Sequence, residues 1–409
     1  MVEWQFERDA IRTFRFVRCG FDAATGVARL AYAFDDGPEL VETITVPGAP
    51  FALDSARLAA ASQALRLLHL IAGISYYKAA VPESIRIESY EIDADTAALL
   101  ETIYLNGLGE FAYRNGLNLH GRIHFPRTGS AVATAPALGL RRHALVAIGG
   151  GKDSLVSIEA LRDLGVAQTV TWIGGSQLIA ACAERTGLPT LNIGRQLAPE
   201  LFEYNRQGAL NGHIPVTAVN SAILVFAATL LGVDQVVFSN ERSASYGSEI
   251  HTDDGQGTVV VNHQWSKGWA FERAFGAHVQ RHVAADLQYY SLLRPLSELA
   301  VARQFAKSDH YDAWFSSCNR NFHLLGERPA VKQLTVVAVP ARAGLVNVGG
   351  EGQLLIGGIA AWPQAGDEAQ HDAHDDSGAE PSPHAGTDRS DRLSPTGRRD
   401  RARESKGGS

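Results

Sequence analysis

The sequence predicts an α/β protein: a doubly wound parallel sheet, with a smaller α+β region before it and a disordered tail after it. From residue 139 to about 325, short strands that are apolar throughout alternate with helices, as in a parallel sheet covered on both faces. Residues 1–138 read as an antiparallel meander followed by helices. After Trp362 the only large apolar residue is Leu393, and acids and bases mix without periodicity. Such a stretch buries too little surface to offset the entropy of ordering. The expected divisions are 1–138, 139–325, a segment 326–363 and a tail 364–409.

In chain order, Phe14 to Gly48 gives strand–turn–strand–turn–strand, with AATG and DDGPE as the turns. A helix follows over 56–74, with Asp54-Ser55 as its N-cap signal and Leu58, Leu65, Leu68 and Leu70 as its apolar stripe. Residues 84–93 alternate like a strand, and Asp95 opens another helix. ALVAIG (144–149) is an apolar strand leading through glycines into a helix with Val156, Ala160 and Leu164 at i+4 spacing and Gly165 beyond its end. Then come the strand VTWIGG, the helix LIAACAERTG and the strand TLNIG. VTAVNSAILVFAATLL is a helix apolar almost all round, hence buried, with Asn220 inside it in need of a partner. QVVFS (235–239) is the strand after it. Sites in such a sheet lie beyond the carboxyl ends of the strands.

Composition narrows the function. With 409 residues at 45% hydrophobic and 20% charged, the chain supports a sizeable core. A net charge of -7 advertises neither nucleic acid nor an anionic membrane as a partner. Cys19, Cys182 and Cys318 are too few and too scattered for a disulfide framework or a zinc knuckle. The start, MVEWQFERDAIRTFRF, is charged where a secretory signal is apolar, and no run approaches ~18 consecutive apolar residues. A cytoplasmic protein without a membrane span is expected.

The sharpest chemical signal is Gly149-Gly150-Gly151-Lys152-Asp153-Ser154, where an apolar strand meets a helix. Free N–H groups and the positive helix end converge there, and glycines admit a phosphate close to the backbone. Lys152 adds charge, Ser154 a hydroxyl, and Asp153 a carboxylate to hold the loop or a magnesium ion. A Walker A loop is excluded by Val146 and by Asp153 after the lysine; a dinucleotide fingerprint is excluded by Ser154. The run resembles the Ser-Gly-Gly-x-Asp-Ser loop of the PP-loop ATP pyrophosphatases, with Gly149 replacing the first serine. The resemblance implies a fold of that type, ATP cleaved between the α and β phosphates, magnesium, and adenine against the backbone at Trp172-Ile173-Gly174.

Polar loops follow. Asn240, Glu241 and Arg242 come directly after the fourth apolar strand, placed to orient substrate or metal, or to form a surface ion pair. His263 and Lys267 flank Trp265, suiting either a base or a satisfied core cluster. Arg294 and Arg320 are candidates to grip a carboxylate or pyrophosphate.

Taken together, FRFVR, YAFDDGPELVETITVPG, AIGGGKDS, SNERSAS, NHQWSK, LLRPLSELA and SCNRNF resemble the MurL family over about residues 14–322. The resemblance implies ATP-dependent epimerisation of UDP-N-acetyl-α-D-muramoyl-L-alanyl-L-glutamate in bacterial peptidoglycan synthesis, through an acyl adenylate. It also implies coupling to the ligase that adds the L-glutamate. The proton-transfer candidates are His263, Lys267 and Glu241, with His263 first because imidazole titrates near operating pH. The family carries a cysteine-rich run shortly after the Asn-Arg-x-Phe motif. This chain has no cysteine after Cys318, so its segment 326–363 is divergent. Two rival readings are another PP-loop adenylating ligase or tRNA-modifying enzyme, and an ATP-binding module without turnover. The acidic balance opposes tRNA, and retention of Lys152, Asp153 and Ser154 opposes an inert module.

Overall fold

A computed structural model describes residues 4–129, 134–251, 258–312 and 314–315, together with two two-residue strands. All lie within the compact unit 1–361. Arg320, most of 326–363 and the tail 364–409 fall outside the described residues.

The meander forms as its alternation requires. Strands β1 (Thr13–Asp22), β2 (Val27–Phe34) and β3 (Leu40–Thr45) pair antiparallel, turning Phe14, Phe16, Tyr32 and Phe34 inward. Helix α1 (Ser55–Ala72) starts at Asp54, whose carboxylate accepts from Arg57 N at 2.8 Å, and runs into α2 (Ile74–Tyr77). Its stripe is not quite the expected one, because Leu58 in the first turn is 51% exposed. The run Ser55–Tyr77 is long and apolar enough to cross a membrane by composition, yet 72% of its apolar 18-residue window is buried inside the protein. Strand β4 is shorter than the alternation suggested, Ser84–Ile87, and pairs parallel to β1. Helices α3 (Ala94–Gly107, capped by Asp93) and α4 (Gly109–Arg114) follow.

The second half alternates as predicted: β5 (Arg141–Ala147), α5 (Lys152–Asp163), β6 (Gln168–Ile173), α6 (Gln177–Arg185), β7 (Thr190–Gln196), α7 (Glu200–Arg206), α8 (Val216–Leu231) and β8 (Val233–Phe238). The hairpin of β9 (Ser248–His251) and β10 (Thr258–Val261) leads to α9 (Trp269–His282), β11 (Gln288–Ser291) and α10 (Glu298–Phe305). The short pair β12 (Val337–Ala338) and β13 (Leu345–Val346) is antiparallel. Strand β11, α9 and α10 were not marked in the sequence. In α5 the buried residues are Leu155, Val156, Ile158 and Leu161, whereas Leu164 at the C-cap is 72% exposed.

One nine-stranded sheet runs in the order β11-β8-β5-β6-β7-β3-β2-β1-β4. The pairs from β11 to β7 are parallel. Strand β3 then joins β7 antiparallel, with Ile44 opposite Arg195. Alternate residues feed two cores. Leu145 and Val236 face α1, α8 and α9, while Val146 and Val237 face α5, α6 and α10. Helix α8 is buried nearly all round and packs on α1, where Arg57 donates to the carbonyls of Thr229 and Leu230 at its C-terminus.

Candidate active site

In the parallel half, β5 lies between β6 and β8, so the chain leaves β5 toward one neighbour and meets the other only after two more strands. This is the topological switch point, and the crevice beyond its carboxyl end is where doubly wound sheets bind ligands. The glycine turn after β5 and the loop after β8 both open there.

Gly150 has φ 77°, a left-handed conformation that favours glycine. A Cβ added at Gly149 would meet nothing within 4 Å, so that side of the turn is open. Gly151 is the N-cap of α5 and supplies no side-chain cap. The N–H groups of Gly149, Gly150, Gly151 and Asp153 meet no acceptor among the described residues. The helix start therefore presents donors and positive dipole to an anion.

Lys152 sits in the first turn, 7% exposed, and its ammonium donates to Asp153 Oδ1 at 2.9 Å and Glu298 Oε1 at 3.3 Å. Burial pulls its pKa down, but the two carboxylates outweigh burial and hold it above the ordinary lysine value. Asp153 and Glu298 are 39% and 36% exposed, leaving each an open side for a divalent cation. Ser154 turns its hydroxyl back to Gly151 O at 3.0 Å, closing the turn. Beneath it, burial pushes the Cys182 thiol up to about 12, and away from the crevice on β1 burial pushes Cys19 up to about 11, so neither is a thiolate nucleophile. At the ends of the flanking strands, Trp172 Nε1 and Ser239 Oγ are buried without partners among the described residues. Strand β6 ends at Ile173, and Gly174 turns away with φ 90°.

The loop after β8 is rigidly tied. Asn240 donates to Ser291 Oγ at 3.0 Å, across to the end of β11. Glu241 is buried and accepts from both the backbone N and the hydroxyl of Ser243, capping the 3-10 turn Arg242–Ser245. Arg242 is exposed. Arg294 is not splayed toward the crevice. Its guanidinium donates to Glu272 Oε2 (3.0 and 2.6 Å), Glu241 O (2.9 Å), Ser245 Oγ (3.3 Å) and Lys267 O (2.6 Å), welding three loops together.

Lys267 lies in the 3-10 turn Trp265–Lys267, where burial lowers its pKa against the pull of Asp153 in the glycine turn. The loop before α8 brings in a residue the sequence reading did not single out. His213 meets His263 edge to face, ring centroids 6.2 Å apart, and its pKa is lowered by burial against the pull of Glu110, with His263 and Lys267 adding to the fall. His263 itself is exposed. Glu110 comes from α4, so the N-terminal half reaches the crevice. The only sequence signal for His213 is a titratable residue just ahead of the buried helix, in Gly212-His213-Ile214-Pro215. The crevice thus brings the open glycine turn together with two imidazoles, His213 and His263, and with Lys267, whose pKa burial lowers.

Fold and site define an α/β protein of the doubly wound class that brings an open glycine turn, two imidazoles and a lysine to one switch point. The MurL N-terminal domain family matches residues 5–292. The chain is 77% identical over 324 residues to UDP-N-acetyl-alpha-D-muramoyl-L-alanyl-L-glutamate epimerase of Xanthomonas oryzae pv. oryzae (strain MAFF 311018), covering 79% of this chain and 71% of that one. Proteins of the same name from Salinispora tropica and Micromonospora sp. are 41% and 40% identical over 319 and 316 residues, covering 76% of this chain and 68% and 69% of theirs. This chain belongs to the MurL family, and it is an epimerase.

Proposed function

We propose that the chain converts the terminal L-glutamate of UDP-MurNAc-L-Ala-L-Glu to D-glutamate, using ATP and Mg2+ to activate the glutamate α-carboxylate, in bacterial peptidoglycan synthesis. The observation that carries this reading is the meeting of the glycine turn with His213, His263 and Lys267 at one switch point; the relatives' name supplies the substrate. An ionised carboxylate makes the α-proton hard to remove, because deprotonation builds charge beside existing charge. Joining the carboxylate to AMP, with pyrophosphate released, removes that charge and lets the carbonyl delocalise the carbanion. Water then cleaves the acyl adenylate to carboxylate and AMP after the proton has been exchanged.

On this reading, the N–H groups of Gly149 to Gly151 and Lys152 hold the phosphates, with Ser154 keeping the turn closed. Asp153 holds Mg2+, whose charge offsets that of the triphosphate. Adenine lies against the backbone at Ile173. Asn240 and Arg242 face the substrate, and Arg320, outside the described residues, is assigned to it on the resemblance alone. His213 takes or returns the proton on one face of the α-carbon, and His263 or Lys267 serves the other. Glu241 and Arg294 position the loops carrying them. A cytoplasmic location and a preceding L-glutamate ligase follow from the substrate.

Incubation in deuterated water with ATP and Mg2+ should place one deuterium at the glutamate α-carbon as D-glutamate appears, with no exchange when ATP is omitted. Inversion without solvent label, or label without ATP, would overturn the mechanism. His213→Gln should slow exchange about 10²–10⁴-fold, as loss of a general base does, while leaving pyrophosphate release near normal. Equal loss of both would assign His213 to the ATP site instead.

A further inference from the structure

At the end of α9 farthest from Lys267, about 20 Å along its 14 residues at ~1.5 Å each, His278 and His282 stand one turn apart with ring centroids 4.2 Å from each other. They face the start of α3. One ligand atom each from Asp93, Asp95 and His282 lies within 4.8 Å of the others. The side chains of His282 and Asp93 are each 8% exposed. His282 Nε2 is buried without a partner among the described residues, and Nδ1 stops 3.7 Å from Asp93 Oδ2, too far for a hydrogen bond.

That geometry is poor for a hydrogen-bonded pair and good for two ligands of one ion. Tetrahedral bonds of ~2.0–2.1 Å place ligand atoms about 3.3–3.4 Å apart. Asp93 Oδ1 caps Thr96 N at 2.8 Å, which leaves Oδ2 for His282. Against this, Arg281 pairs with Asp95 at 2.7 Å and competes for that carboxylate.

We propose that Asp93, Asp95 and His282, with His278 beside them, form a site for a divalent first-row transition ion of the zinc type, tying α3 to α9. An imidazole and carboxylate set suits such ions, and the site is independent of the proposed ATP chemistry.

Untagged full-length protein would be dialysed against Zn2+ and its bound zinc and Tm measured. One zinc per chain is expected, with Tm falling on chelation. His282→Gln and Asp95→Asn should each weaken binding at least tenfold, Arg281→Gln should tighten it, and Asp153→Asn should leave it unchanged. The Arg281→Gln gain guards against misreading an unfolded variant. Failure of the wild type to bind zinc, unaltered binding in His282→Gln, or loss of zinc in Asp153→Asn would each overturn the assignment.

Discussion

Of the clusters among the described residues that set a buried cation against carboxylates, two differ in which partner is sealed. Where β3 meets β7, Arg195 donates to Glu42 Oε1 at 2.7 Å and to Ser75 Oγ at 3.2 Å, and Glu42 is 0% exposed. In the glycine turn Lys152 is as deeply placed, but Asp153 and Glu298 each keep more than a third of their side chains in solvent. Sealed on both sides, the first cluster is closed to a ligand, although Glu42 Oε2 is left without a partner among the described residues, and it acts as a fold determinant. Open on its acidic side, the second contributes little to stability and keeps charge available. The exposure of the carboxylate, rather than the burial of the cation, separates the two uses.

The largest effect expected on the sealed side is from Glu42→Ala. It strands the Arg195 guanidinium in the core and should cost about 3–5 kcal/mol, read as a drop in the urea midpoint at unchanged slope. Replacing both partners by apolar residues should recover most of the loss. If Glu42→Ala alone proved neutral, water would be reaching the junction and the contrast would fail.

On the open side, Lys152→Met should lower pyrophosphate release by about 10²–10³-fold, the usual effect of losing one charge-stabilising donor. Its urea midpoint should barely move. A large stability loss there would make the turn a structural cluster like the first.

A third sealed group carries no charge at all. His69 is 0% exposed, bonded to Tyr90 Oη at 2.8 Å and Ala31 O at 3.0 Å, and burial pushes its pKa down to about 4. Its folded value lies below the ordinary 6.5, so the unfolded chain binds more protons between pH 6.5 and 4. Stability is therefore complete above pH 6.5 and is lost as pH falls, by about 3 kcal/mol near pH 4. A His69→Gln variant should show a flatter acid limb in chemical denaturation; an equally steep one would place the acid sensitivity elsewhere. Smallest of all, breaking the exposed Arg206–Glu203 pair on α7 should leave stability almost unchanged, so that Glu203→Gln moves the urea midpoint only slightly.

The elements were legible where one period held over a whole segment. The meander alternates, β5 to β8 are apolar runs, and α8 is apolar all round. Helix ends escaped the same logic: Leu58 and Leu164 keep the spacing of their stripes but sit where a helix has run past its neighbour. Strand β11, QYYS, was missed because it is short and polar at both ends. In the site, the glycine turn was readable since its residues are contiguous. His213 was not, because it becomes chemical only when α4, the loop before α8 and the turn at Lys267 converge. Arg294 was assigned to substrate because nothing local reveals Glu272, 22 positions earlier, as its partner.

The join between β3 and β7 has a consequence for what the second half is by itself. Strand β7 is bonded to β6 on one side and to β3 on the other. A chain begun at residue 139 would turn β7 into an open edge, its N–H and C=O groups bare and Arg195 deprived of Glu42. Bare edges recruit strands from other molecules. The segment that carries the glycine turn is therefore not portable by itself; the meander is the guard that closes its edge.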